Sequence, residues 1–558
     1  MPGVLNTRRR PGPGRARPLL WLFLLLVPFV ASACITVESD LLVTPAPPLA
    51  TATPAASPTP APIASPTPAP TPAPTPEPVV AEVLGFVRHD LLDEAAATID
   101  PELVTIAAFH SVEAAASGRL VSKKANGEVP PGWAMLGSDR FAQLKDELQA
   151  AGVKVVPVIQ RAAWAEGTRE RMIELLSKRK NRQALVENIV SFVTNRGFDG
   201  VNLDFEPLPV KVADQYVLLV RELREALDAV DPELHLSVDV VPGLENYDLA
   251  ALTAADAADL AVIMGYGYRT PASGTAGSVA PLVDPATSDL TESVEAALAQ
   301  VGGERLLLGL PWYGLDLPTE ADRARSATRS GGNIAPGSTL DYGDARRQAA
   351  KTGRRYQPDQ ASAWTAYAAR GCDGCTPTWR QVWYDDPDSF GAKLALALEE
   401  GLAGVGVWTL GMEDGHEEMW LALRHHLYPR IDEIPPGGSP ALDPESVKGD
   451  IDGRAVVSGS APLRLFASDD PDGSGLAFVR IGLDGELGRD GRLVTGRTYP
   501  AVERIEFPLG DESTGGSPAE GPRSIHVQWR DLAGNWSVPV VIEAHALTPA
   551  TTRTPDDF

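Results

Sequence analysis

Eight short apolar runs, each followed by a helical pattern, constrain this chain more than any other feature. The runs cover residues 83–87, 104–109, 153–159, 200–205, 234–241, 258–264, 306–310 and 404–408. Most are nearly continuous in apolar residues, the pattern of strands buried on both faces. Between them, stretches such as Asp139 to Ala151, Arg182 to Arg196 and Tyr216 to Val230 carry helical periodicity. Strands separated by helices predict a parallel sheet, and eight such units over about 345 residues predict an α/β fold of the (β/α)8 or TIM-barrel type. An open doubly wound sheet is the rival, but no Gly-x-Gly-x-x-Gly turn follows the first run. The polar stretch between Leu315 and Phe390 then reads as an insertion before the eighth strand.

In such a barrel the chemistry sits where strands end at the C-terminal face. The fourth run is Gly200-Val201-Asn202-Leu203-Asp204-Phe205-Glu206, preceded by Asp199. Period-two spacing points Asn202, Asp204 and Glu206 to one side of the strand, into the barrel. Two carboxylates buried together repel, and the repulsion raises the proton affinity of one of them. A raised pKa is what a general acid working near neutral pH needs. A solvated strand end is the bland alternative, and the alternation with Val201, Leu203 and Phe205 argues against it.

Asp199-Gly200-x-Asn202-x-Asp204-x-Glu206 resembles the Asp-Gly-x-Asp-x-Asp-x-Glu signature of glycoside hydrolase family 18, the chitinase family. Met264-Gly265-Tyr266 resembles that family's sixth-strand motif. Gly309-Leu310-Pro311-Trp312-Tyr313-Gly314 resembles its seventh-strand end, and Gly404 to Trp408 its eighth strand. The resemblance implies retaining, substrate-assisted hydrolysis, in which the substrate's own acetamido group attacks the anomeric carbon. It assigns Glu206 as the acid, Asp204 and Tyr266 as partners of the acetamido group, and Asp199 and Asn202 as support for the motif. Trp408 becomes the floor under the reacting sugar, with Met264, Trp312, Tyr313 and Trp383 expected to contact substrate. The implied partner is an N-acetylated polysaccharide, chitin or peptidoglycan. No metal or other cofactor is expected, since no His/Cys cluster has ligand spacing.

Asn202 stands where the family has an aspartate, Gly267 where many chitinases have one, and the third run ends Val158-Ile159-Gln160 without Ser-x-Gly-Gly. These departures, with Ala276 to Leu282 and Gln381 to Asp386, resemble the bacterial cell-wall and spore-cortex branch. They also leave open a catalytically inactive, chitinase-like glycan-binding surface lipoprotein. The insertion is dense in aromatics. Most of them are expected in a core, with Trp383 or Tyr384 nearer the cleft. Cys372 and Cys375 within it read as a small loop disulfide, with redox and zinc readings as alternatives.

Five arginines before residue 18 precede a short apolar block from Leu19 to Ala31, too short to cross a hydrocarbon core of roughly 30 Å. With Ala31-Ser32-Ala33-Cys34 this resembles a bacterial lipoprotein signal, residues 1–33, with Cys34 the lipidated residue. An ordinary signal cut after Ala33 is the alternative. Residues 34–80 form a stalk, with 14 prolines from Thr44 to Pro78 and no means of burying a core. The implied location is the outer side of a bacterial membrane, held by a lipid anchor. The barrel spans 81–430 and a linker 431–446. An all-β sandwich over 447–547, resembling immunoglobulin-like domains, and a tail over 548–558 complete the chain. A net charge of −25 excludes a broad nucleic-acid surface. Oligomeric state leaves no mark in the sequence.

Overall fold

The computed structural model describes residues 81–428, 432–471 and 473–549. The leader, Cys34, the stalk and the tail beyond residue 549 lie outside the described residues. No helix among the described residues is long and apolar enough to cross a membrane.

Seven parallel strands follow in chain order: β1 (Glu82–Arg88), β2 (Ile106–Glu113), β3 (Lys154–Ala162), β4 (Gly200–Glu206), β5 (His235–Val240), β6 (Leu260–Met264) and β7 (Leu306–Pro311). The chain then makes an excursion through β8 (Tyr313–Thr319), β9 (Ser338–Asp341), β10 (Arg355–Gln357), β11 (Ser362–Ala369) and β12 (Thr378–Tyr384). It returns as β13 (Gly404–Trp408), which pairs in parallel with both β7 and β1 and closes an eight-stranded barrel. Every apolar run in the sequence became a barrel strand, with its ends moved by no more than a few residues. The insertion is a five-stranded antiparallel sheet in the order β10-β11-β12-β8-β9.

Alternation along the strands divides the barrel into two cores. Outward residues such as Val201, Leu203 and Phe205 of β4 pack under the surrounding helices. The helix Asp139–Ala150 shows the local logic. Ser138 caps it by accepting from Phe141 N–H at 3.2 Å, and Phe141, Leu144 and Leu148 recur on the buried face. Inward residues Leu84, Phe86, Ile106, Val158, Val262 and Leu307 form a smaller apolar cluster inside the barrel. On β4 and β5 the inward positions are polar instead: Asn202, Asp204, Ser237 and Asp239, all buried.

The C-terminal region is all-β, with β14 (Gly437–Leu442), β15 (Asp450–Ile451), β16 (Arg454–Ser468), β17 (Leu476–Gly482), β18 (Arg497–Pro500), β19 (Arg504–Pro508), β20 (Gly521–Asp531) and β21 (Val540–Pro549). The stretch expected as linker contributes a strand: β14 pairs antiparallel with β16. It lies over Trp529, where a Cβ at Gly438 would meet the indole at 2.7 Å, so only glycine fits there. Trp529, Phe507, Tyr499, Ile525 and Leu463 form the core of this region. Arg530 on β20 reaches Asp388 in the helix Pro387–Glu399 at 2.8 Å, and Arg354 shares Asp388 while lying over the Phe478 ring.

Truncating Trp529 to alanine empties the centre of this core. The substitution is expected to destabilise the C-terminal region by roughly 3–5 kcal/mol, read from denaturant unfolding of the full chain.

Candidate active site

The site grows from the C-terminal end of β4. Asp204 is 4% exposed. Its Oδ2 accepts from Gln160 Nε2 of β3 at 2.9 Å and lies 3.6 Å from His110 Nε2 of β2. Gln160 is itself oriented by Ser111, whose Oγ donates to Gln160 Oε1 at 3.2 Å. Asp204 Oδ1 is buried without a hydrogen-bond partner. One pleat down, Asn202 Nδ2 donates to Ser237 Oγ at 3.0 Å and to Asp239 Oδ1 at 2.9 Å. A carboxylate oxygen enclosed without a donor is costly, so Asp204 Oδ1 is an unsatisfied point of this cluster.

Burial, and then the charge of Asp204, push the Glu206 carboxyl up from an ordinary 4.5 to about 8; a hydrogen bond from Trp164 opposes the shift. Glu206 thus holds its proton at neutral pH. Asp239 is pushed well above the carboxylate range by burial first and by Asp204 second, against the hydrogen bond from Asn202. The Tyr266 phenol is raised by burial, then by Asp239, so it stays a neutral donor.

Aromatic rings wall this cluster. Trp408, at the end of β13, packs on Phe86 at 5.4 Å, meets His110 edge-on at 5.0 Å and lies near-parallel to Tyr266 at 6.3 Å. Tyr313 stands edge-on to Tyr266 at 6.1 Å. Gly309 on β7 makes room for this group, since a Cβ there would meet Ile263 O at 2.9 Å and the Tyr266 ring at 3.4 Å. Met264 ends β6, buried beside Tyr266 in sequence. A cavity of ≈ 450 Å³ opens beside the cluster, lined by His110, Ser111, Glu113, Gln160, Arg161 and Thr168 among others.

Glu206, Asp204, Tyr266, Tyr313, Met264 and Trp408 therefore gather around one mouth, with Asn202 enclosed one pleat below. Two aromatics expected against substrate do not. Trp312 is 1% exposed and packs edge-on against Trp420 and Phe390. Trp383 is fully enclosed, stacked on Trp364 at 5.2 Å, with its indole N–H donated to Gln381 Oε1. Tyr384 is enclosed as well. The reason is the sheet: β12 runs between β8 and β11, so its large rings fill the excursion's core. Asp199 sits at the opposite end of β4, where its Oδ2 accepts from Val155 N–H and Gln149 Nε2, both at 2.7 Å, and ties β3 to β4. Cys372 and Cys375 are bonded to each other.

Four residues of the site escaped the sequence: Gln160 as an Asp204 partner, His110, Asp239 and Trp164. For Asp239 a signal existed, because Ser237 and Asp239 break the fifth apolar run at period two. Trp164, 66% exposed beside the acid, carried no pattern. Away from the barrel mouth, Asp432, Asp469 and Asp531 bring carboxylate oxygens within 4.8 Å of one another in and beside the C-terminal sheet.

The family model of the glycosyl hydrolases family 18 matches residues 85–413. A Bacillus subtilis (strain 168) protein named "Putative sporulation-specific glycosylase YdhD" is 28% identical over 253 residues, 43% of this chain and 54% of that protein. The chain thus spans about half the length of this relative. Among solved structures, the Bacillus cereus spore cortex-lytic enzyme SleL is similar with a TM-score of 0.51 and 18% identity, over 63% of this chain and 76% of that one. A Cycas revoluta GH18 chitinase in complex with (GlcNAc)3 gives a TM-score of 0.51 and 21% identity, over 62% and 99%. At these identities the two structures establish a shared fold.

The raised Glu206 pKa carries a stability signature. A proton bound more tightly in the folded state stabilises it fully below the unfolded value of 4.5, and that stability is lost as pH rises through about 8. Glu206→Gln cannot titrate. Melting curves between about pH 5 and about pH 9 should therefore show the wild-type Tm falling relative to that of Glu206→Gln.

Proposed function

Because the chain belongs to glycosyl hydrolases family 18, we propose that it is a retaining, substrate-assisted glycosidase. Its substrates are β-1,4-linked polysaccharides containing N-acetylglucosamine, namely peptidoglycan or chitin. The observation that carries this reading is the placement of Asp204 and Glu206 together at the C-terminal end of β4, where burial and the charge of Asp204 push the Glu206 carboxyl up to about 8. In this reading Glu206 donates its proton to the glycosidic oxygen as the bond to the anomeric carbon breaks. The substrate's acetamido oxygen attacks that carbon from the other face and gives an oxazolinium ion. Asp204, oriented by Gln160, accepts the acetamido N–H and stabilises the positive charge that develops there. Tyr266 donates its phenolic hydrogen to the same group, and Trp408 stacks beneath the sugar. Water activated by Glu206, now a carboxylate, opens the oxazolinium ion with net retention.

Trp164 extends this site. With its N–H on Glu206 and its ring in solvent, it offers a sugar-stacking face beside the leaving oxygen. The signal-like head and Cys34 support an exported enzyme held at a membrane by lipid, with the proline-rich stalk as tether.

The test incubates the full chain and its Glu206→Gln variant with peptidoglycan and with chitin oligomers. Wild type should release reducing ends from at least one polymer, and Glu206→Gln should be slower by about 10²- to 10⁴-fold while still binding it. Binding without cleavage by either form would replace the enzyme with a glycan-binding protein.

A further inference from the structure

Inside the barrel, the residue next to Asp204 on its own strand face is an amide, Asn202, and the next acid comes from the neighbouring strand. The parallel pairing of β4 with β5 places Asp239 level with Asp204, and Ser237 level with Asn202. Register partners on adjacent strands point to the same face about 4.8 Å apart, so Asp239 and Asp204 stand side by side in the barrel. Asp239 is 2% exposed. Its Oδ1 accepts the Asn202 amide at 2.9 Å, and the second Asn202 hydrogen goes to Ser237. Asn202 and Ser237 lie one pleat below the two carboxyls that face the substrate, Asp239 stands beside Asp204, and none of the three contacts the sugar in the reading above.

We propose that Asp239 is a positioning residue of the hydrolytic centre: a neutral carboxylic acid on the neighbouring strand that locks Asn202 beneath Asp204, the acid beside the reacting sugar. The proposal rests on the hydrolase reading. Its physical basis is that two enclosed carboxyls side by side do not both ionise, so one keeps a proton. The groups facing Asp239 decide which one. Asp204 and Glu206 on β4 are both carboxyls, and Tyr266 after β6, Tyr247 after β5 and Tyr216 on the helix Ala213–Asp228 are neutral phenols. Asp204, by contrast, has Gln160 as a donor and His110 within 3.6 Å. Each carboxyl has one amide donor, and the proton goes to Asp239, whose other charged or titratable neighbours are carboxyls and phenols. When Glu206 gives up its proton in the first step, Asp239 remains neutral, and the cluster gains one negative charge rather than confronting a third.

Two measurements test this on the full chain. Infrared spectra near neutral pH, taken in the Glu206→Gln background, should retain the C=O band of a protonated carboxylic acid, and adding Asp239→Asn should remove it. Kinetically, Asp239→Ala strips Asn202 of an acceptor and should lower kcat roughly tenfold or more with little change in KM. Asp239→Asn, whose carbonyl still accepts from Asn202, should recover part of that loss, as a merely space-filling role would not. A band that survives Asp239→Asn, an alanine variant as active as wild type, or equal losses in the alanine and asparagine variants would each overturn the proposal. If wild type cleaves neither polymer, the hydrolase reading fails on its own, while the infrared comparison still decides whether Asp239 holds the proton.

Discussion

Three carboxyl side chains share the inside of a barrel whose other inward positions are mostly apolar, and the site depends on how that enclosure divides protons and hydrogen bonds among them. Removed from water, a carboxylate survives only with donors or a counter-charge. Asp204 has Gln160 as its donor. Glu206, at the mouth, has a hydrogen bond from Trp164 but is pushed up to about 8 by burial and by its neighbour. Asp239, level with Asp204 and 2% exposed, is pushed well above its ordinary range. One β-strand at period two and the register of the next are enough to create this gradient.

The apolar part of the barrel does not stand apart from that chemistry. Phe86, Val158 and Val262 keep the interior dry, which strengthens every charge interaction at its mouth. Trp408, Tyr266 and Tyr313 then line the opening with rings. A sugar ring offers C–H faces to aromatics and hydroxyl and amide groups to polar side chains, and this wall provides for both. The strands that carry the polar residues are held by interactions at their far ends, such as Asp199 on the backbone of Val155.

The excursion and the C-terminal region use their aromatic and charged residues differently. Trp364, Trp383 and Tyr384 form the packed interior of a five-stranded sheet rather than a substrate surface. Arg354 and Arg530 converge on Asp388, with Phe478 beneath the Arg354 guanidinium. The C-terminal sheet is thereby docked against the excursion through buried and half-buried charge, with Trp529 filling its own core.

The barrel was legible in the sequence because strands buried on both faces need nearly uninterrupted apolar runs, and eight of them alternate with helical stretches without a dinucleotide-binding turn after the first. Asn202, Asp204 and Glu206 were legible for a related reason: polar residues at period two inside such a run have one face to share. Trp312 and Trp383 were misread because aromatic composition is the same in a cleft and in a core, and only the pairing of β12 between β8 and β11 decided between them. The strand at Gly437–Leu442 hid in a Pro/Gly-rich stretch, whose backbone pairs with β16 whatever its side chains suggest. Gln160, His110 and Asp239 became part of the site only through register across strands, a relation between residues 35 or more apart in the chain. Sequence alone determined which barrel strands exist and which face of β4 carries the acids. The tertiary structure decided which neighbours surround each acid, because burial and the charges alongside belong to the closed barrel and not to any segment of it.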